Sequence, residues 1–93
     1  MEAFAGTREK MDAEVTVFEE IEGMQSEKIQ IEITSPVKSL FGPAQKTAVL
    51  KALHELGVQR CRVKIVDNQA VDAVLAARLK AAVLRLRQAG GSL

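Results

Sequence analysis

The side chains able to do covalent or proton-transfer chemistry are few in this chain, which has a single histidine, His54, and a single cysteine, Cys61. The neighbours of His54 at helical spacing are Lys51, Glu55 and Val58. They offer it no serine, cysteine or carboxylate pair for proton transfer, so it is expected to be a helix residue near a C-terminus, favourable when charged. Cys61 alternates with Val63 and Ile65, and a buried apolar thiol keeps its proton and is inert. One His and one Cys do not close a tetrahedral metal set without carboxylates from several elements. The glycines of "AGGSL" end the chain with no helix after them, so they form no phosphate-binding loop. The residues argue against an enzyme acting alone.

Two further stretches have a suggestive pattern. "FAGTREKMDAEV", Phe4 to Val15, is a small, polar, loop-like run with one hydroxyl and alternating charges, and it stands ahead of the first apolar stretch. In the last helix Arg78 and Arg85 are seven apart, as are Lys80 and Arg87. Two basic rows are therefore expected along its outer side, either as a solvated face matched to the helix dipole or as a docking surface for an anionic partner.

The elements that must position these residues follow from hydrophobic period. Ala13, Val15, Val17 and Ile21 alternate with Glu14, Thr16, Glu20 and Glu22, the pattern of a half-buried strand. "GMQS", Gly23 to Ser26, supplies a turn, and in "KIQIEIT" Ile29, Ile31 and Ile33 give a second strand. The short polar link predicts an antiparallel hairpin between them. Ser35 caps a short turn starting at Pro36, and Pro43 is placed to open a helix whose stripe is Val49, Ala52, Leu53 and Leu56, stopped by Gly57. Cys61, Val63 and Ile65 alternate with Arg60, Arg62 and Lys64 in a third strand. "DNQ" then caps a helix over Ala70 to Gln88 with Val71, Val74, Leu75, Ala81, Ala82 and Leu86 at helical spacing, ended by Gly90 and Gly91. The expected fold is α+β, a ββαβα two-layer sandwich in which a three-stranded mixed sheet is covered on one face by two helices. The second and third strands should run parallel through their helical crossover.

With 93 residues the chain is expected to be a single domain, with 1–12 as a flexible N-terminal segment and 90–93 as a C-terminal tail. The 13 Lys and Arg are balanced by 12 Asp and Glu, so no field draws in a polyanion, and three phenylalanines without a basic groove give no stacking platform for nucleic acid. No apolar run reaches the roughly 20 residues needed to cross a bilayer. The lone cysteine and the absence of a basic, then apolar, N-terminal leader point to a cytoplasmic protein.

Three strings in order resemble the acyl carrier protein, or gamma subunit, family of bacterial citrate lyase. They are "AGT" (Ala5, Gly6, Thr7) with Glu9 and Asp12; "SPVKSLFG" (Ser35 to Gly42); and "DNQAVDAVLAARLKAAVLR" through Asp67, Ala70, Asp72, Ala77, Arg78 and Leu79. The resemblance implies a non-catalytic subunit carrying acetyl or citryl as a thioester on a phosphoribosyl-dephospho-coenzyme A arm. The arm is joined by a phosphodiester to a serine in the segment before the first strand, and it serves the alpha and beta large subunits after a prosthetic-group transferase has attached it. A tethered arm trades diffusion for high effective concentration, which suits a polar, unpacked mooring.

Set against the family's Ala-Gly-Thr-x-Glu-Ser-x-Asp, the serine position falls on Lys10, an ammonium with no hydroxyl. Three accounts follow: a replacement that keeps the protein unmodified, a natural homologue without the arm, and attachment through Thr7, whose other role is a turn hydroxyl bonded to its own backbone. A rival reading from another class is an unmodified interaction or scaffold module of the same fold.

Overall fold

Alternation in the strands is carried into space as a one-sided sheet. The computed structural model describes residues 1–20 and 28–93, so the turn expected at Gly23–Ser26, with Ile21 and Glu22 before it, lies outside the described residues. The elements run β1 (Glu2–Ala5), β2 (Asp12–Phe18), β3 (Ile29–Thr34), α1 (Lys38–Glu55), β4 (Cys61–Asn68) and α2 (Asp72–Gln88). Among the described residues they form a four-stranded sheet in the order β1-β2-β4-β3.

Ala13, Val15 and Val17 of β2 and Cys61, Val63 and Ile65 of β4 point inward and are fully buried. Onto this face α2 lays Leu75, Leu79, Ala82, Val83 and Leu86, and α1 adds Val49, Ala52 and Leu53. Each fully buried Val or Leu contributes about 1.5–3 kcal/mol relative to an exposed one, so this single apolar seam is the main source of stability. The α+β class and the two covering helices are as expected.

Three expectations are corrected. The sheet has four strands, because Glu2–Ala5 pairs antiparallel with β2. Its inward residues are the alanines Ala3 and Ala5 while Phe4 is 57% exposed, so the usual sign of a strand, large side chains inward, is inverted. The first two expected strands, β2 and β3, are not a hairpin. They reverse direction as the sequence implies, but both pair with β4, antiparallel on one edge and parallel on the other. Two strand spacings amount to about 10 Å, which the chain between Glu19 and Lys28 spans easily. The parallel pairing of β3 with β4 is as predicted.

The third correction concerns Pro43, which does not open a helix but lies inside α1. Helical bonding begins earlier, with Leu40 and Phe41 N–H groups donating to the Val37 carbonyl, so the proline withholds one N–H in the second turn. The end of α1 is as expected, with Gly57 at φ +74 just beyond it. In α2 the buried stripe includes Leu79 and Val83 and leaves Val71, the residue before the helix, 57% exposed.

Candidate functional site

The connection between β1 and β2 is built around two residues that only its geometry explains. Gly6 has φ +88, and a Cβ there would sit 1.9 Å from the Ala13 carbonyl oxygen and 3.0 Å from Cδ of Arg78. No other residue type fits that approach. Asp12, at the start of β2, collects the loop. Its Oδ2 accepts from the Thr7 hydroxyl at 2.7 Å and from the Thr7 N–H at 3.1 Å, and its Oδ1 accepts from the Ala13 N–H at 2.8 Å.

From helix α2, Arg78 donates through Nε to Asp12 Oδ1 at 2.9 Å and through Nη2 to Oδ2 at 3.4 Å. This two-pronged contact is the strong geometry for a guanidinium and a carboxylate. The Arg78 hydrogen bond, then that of Thr7, holds the Asp12 carboxyl well below the usual carboxylate range. The loop is fixed from a third side by β4. The Met11 N–H donates to the Asn68 carbonyl at 2.6 Å, and Asn68 Nδ2 donates to the Arg8 carbonyl at 3.0 Å. Met11 itself takes φ 65, turning the chain back into β2.

At the apex, Lys10 is exposed and makes no hydrogen bond or ion pair among the described residues. Its neighbour Arg8 pairs with Glu14 at 3.2 Å. The Thr7 hydroxyl is engaged twice, since it also accepts from the Glu9 N–H at 3.2 Å. That is the backbone-bonding turn role, and it leaves the hydroxyl's one proton on Asp12. The run that read as loop-like and unpacked is thus bounded by strands, with Ala5 in the core and Asp12 clamped.

The other candidates fall elsewhere. The two basic rows of α2 are not free faces: Arg78 holds Asp12, Arg85 Nη1 donates to the Phe4 carbonyl at 2.8 Å, and Arg87 Nη2 donates to the Leu56 carbonyl at 2.8 Å. These arginines tie α2 to β2, to β1 and to the end of α1, while Lys80 is exposed. Cys61 is buried, and burial pushes its thiol up to about 11, so it is no nucleophile near neutral pH. His54 is exposed in the last turn of α1.

Sequence reasoning missed a second carboxylate centre. Asp67, 3% exposed, accepts from Ser35 Oγ at 2.7 Å, Gln45 Nε2 at 2.9 Å, the Gln69 N–H at 3.3 Å and the Ala70 N–H at 2.9 Å. It joins the entry of α1 to the entry of α2. The signal available was Ser35 and Asp67 occurring together among the resemblance strings.

Fold and loop together define a small α+β domain, a sheet-and-helix scaffold that clamps one β1–β2 loop whose residues Thr7 to Met11 are exposed. A family model described as malonate decarboxylase delta subunit (MdcD), an acyl carrier protein model, matches residues 1–86. The citrate lyase acyl carrier protein of Fusobacterium nucleatum is 44% identical over 81 residues, covering 87% of this chain and 82% of the relative. That of Klebsiella pneumoniae is 39% identical over 89 residues, covering 95% and 87%. Citrate lyase acyl carrier protein 2 of Salmonella typhimurium is 39% identical over 85 residues, covering 90% and 82%. The chain belongs to this acyl carrier protein family. Gly6, Thr7, Asp12 and Arg78, which the resemblance had drawn from two distant strings, are one contact cluster.

A carrier of this family implies a prosthetic group. A phosphodiester needs an oxygen on the protein side. Lys10 has none, and the Thr7 hydroxyl is bonded to Asp12 and Glu9. Position 10 as it stands does not fit a phosphodiester-linked group.

Proposed function

We propose that this chain is the acyl carrier subunit of a citrate-lyase-type complex, non-catalytic by itself, with Gly6–Met11 as its attachment loop and position 10 as the attachment position. The proposed partners are the alpha and beta large subunits and the prosthetic-group transferase, and the proposed group on arm-bearing members is phosphoribosyl-dephospho-coenzyme A. The proposed compartment is the cytoplasm; among the described residues no helix is long and apolar enough to cross a membrane. The observation that carries the reading is convergence. In a chain of the acyl carrier family, Gly6, Thr7, Asp12, Asn68 and Arg78 come from three separate parts of the sequence and all serve to hold one loop whose apex is residue 10. A scaffold module would need no loop clamped from three sides with its turn residues left exposed. Lys10 supplies an ammonium instead of a hydroxyl, so the chain in this form is proposed to be unmodified.

The test is an intact mass of the protein and of Lys10→Ser after incubation with the transferase and its arm precursor. The serine variant is expected to gain the mass of the arm and the native chain to stay bare. A serine variant that stays bare beside a labelled authentic carrier would remove position 10 as the attachment position.

A further inference from the structure

The two edges of the sheet are protected to different degrees. At one edge β1 is four residues long, and its Met1 carbonyl accepts from the Glu19 N–H, so the backbone groups of Glu2 and Phe4 face out. The outward Phe4 carbonyl is taken by Arg85 Nη1. At the other edge β3 is six residues long, holds no proline and, among the described residues, pairs only with β4. An edge of that kind is a template for a further strand unless something blunts it. The Lys28 carbonyl accepts from the Cys61 N–H at 3.0 Å, which turns Lys28, and with it Gln30 and Glu32, toward β4. Backbone groups alternate sides along a strand, so the N–H and C=O groups of Ile29, Ile31 and Ile33 face out. Ile29 and Ile31 lie half-buried at the margin of the core, and Lys28 and Glu32 are exposed.

We propose that β3 is a self-association edge, where a second copy of this chain adds its own β3 antiparallel and joins the two four-stranded sheets into one. Two conditions set the register. Only outward groups can bond across the edge, so Ile29, Ile31 and Ile33 must stand opposite one another. Centred on Ile31, the strands would place Lys28 opposite Thr34; centred on Ile29, they would place it opposite Gln30. Centred on Gln30, they place Lys28 opposite Glu32 of the second copy, and the two-fold axis makes that ion pair twice. The same register sets Ile29 against Ile31 of the second copy in two hydrogen-bonded pairs, so the half-buried isoleucines cover each other on the helix side. Lys28 and Glu32 fall in the non-hydrogen-bonded pairs, where side chains stand closest. This reciprocity selects a second copy over an unrelated strand, because the edge carries both members of the ion pair, equally spaced about Gln30. The β1–β2 loop belongs to the opposite edge, so both loops stay uncovered in the pair.

The experiment is sedimentation equilibrium of the full chain from micromolar to millimolar concentration, with amide hydrogen exchange across the same range. The mass is expected to rise from 10.1 kDa toward twice that value, and the Ile29 and Ile31 amides to gain protection with concentration while those of Gln30 and Glu32, already bonded to β4, change less. Lys28→Glu and, separately, Glu32→Lys turn both ion pairs into like-charge pairs and should each raise the dissociation constant about tenfold. The double variant Lys28→Glu/Glu32→Lys should restore it. Both positions are exposed, and circular dichroism checks that each variant is folded. A mass that stays at 10.1 kDa into the millimolar range would overturn the proposal. So would a dimer that ignores the single substitutions or that the double variant fails to restore, since association would then run through another surface or register.

Discussion

Asp12 and Asp67 stand at the same end of adjacent strands, Asp67 opposite Ala13 and Asp12 opposite Asn68, yet they organise their surroundings in different ways. Asp12 meets a cation and holds a loop against a helix whose partner is 66 residues away in sequence. Asp67 is buried and is satisfied by neutral donors, two side chains and two backbone N–H groups, that fasten the starts of both helices. The buried centre belongs to the scaffold, where an unpaired polar group is costly: four donors end on the Asp67 carboxylate, and Gln45 Oε1 is the one atom of the cluster left without a partner among the described residues. Asp12, whose side chain is 14% exposed, belongs to the loop, where it pairs with an Arg78 that is 43% exposed and the charged pair sets orientation. Removing either should separate the two roles.

The largest effect is expected from Asp67→Ala, which strands Ser35 and Gln45 in the interior. It should cost about 3 kcal/mol or more in urea unfolding, with both helices affected. Equal stability of this variant and the native chain would dissolve the distinction between scaffold and loop. Gly6→Ala comes next, about 1–3 kcal/mol, from its positive φ and the contact with the Ala13 carbonyl. In the Lys10→Ser background it should also lower arm transfer more than its stability loss explains. Thr7→Val removes both hydroxyl bonds, to Asp12 and from the Glu9 N–H, and is expected to cost about 1–2 kcal/mol while slowing arm transfer to Lys10→Ser.

The smallest stability effect is expected from Asp12→Asn, and its pH dependence is the informative part. The Asp12 carboxyl is depressed in the folded state, so its contribution is present above the unfolded carboxylate pKa of about 4 and is lost only as pH falls through the lower, folded value. The difference in melting temperature between the native chain and Asp12→Asn should be constant from pH 8 to about pH 5 and shrink in more acid solution. A difference that instead changes between pH 6 and 8 would mean that another group governs the clamp.

Much of this was legible in the sequence where side chains repeat with a period. The alternation at Val15 and Val17, at Ile31 and Ile33, and at Val63 and Ile65 is the strand pattern found. β1 was not legible, since alanines face its core and a phenylalanine faces solvent. Strand adjacency was not legible either, because the short link from β2 to β3 is compatible with a hairpin and with a passage across a third strand. The loop residues could be named one by one from the resemblance. Their convergence could not be read, because no local spacing records that an arginine on α2 turns toward Asp12 and away from solvent.

The central place of β4 has a consequence for how the chain is made. β2 and β3 both lean on β4 and not on each other, so no sheet beyond the β1–β2 hairpin can close before residues 61–68 have left the ribosome. Until then the chain holds two unpaired apolar strand edges, and folding waits on contacts between distant segments, which form slowly and leave the nascent chain open to association with its neighbours.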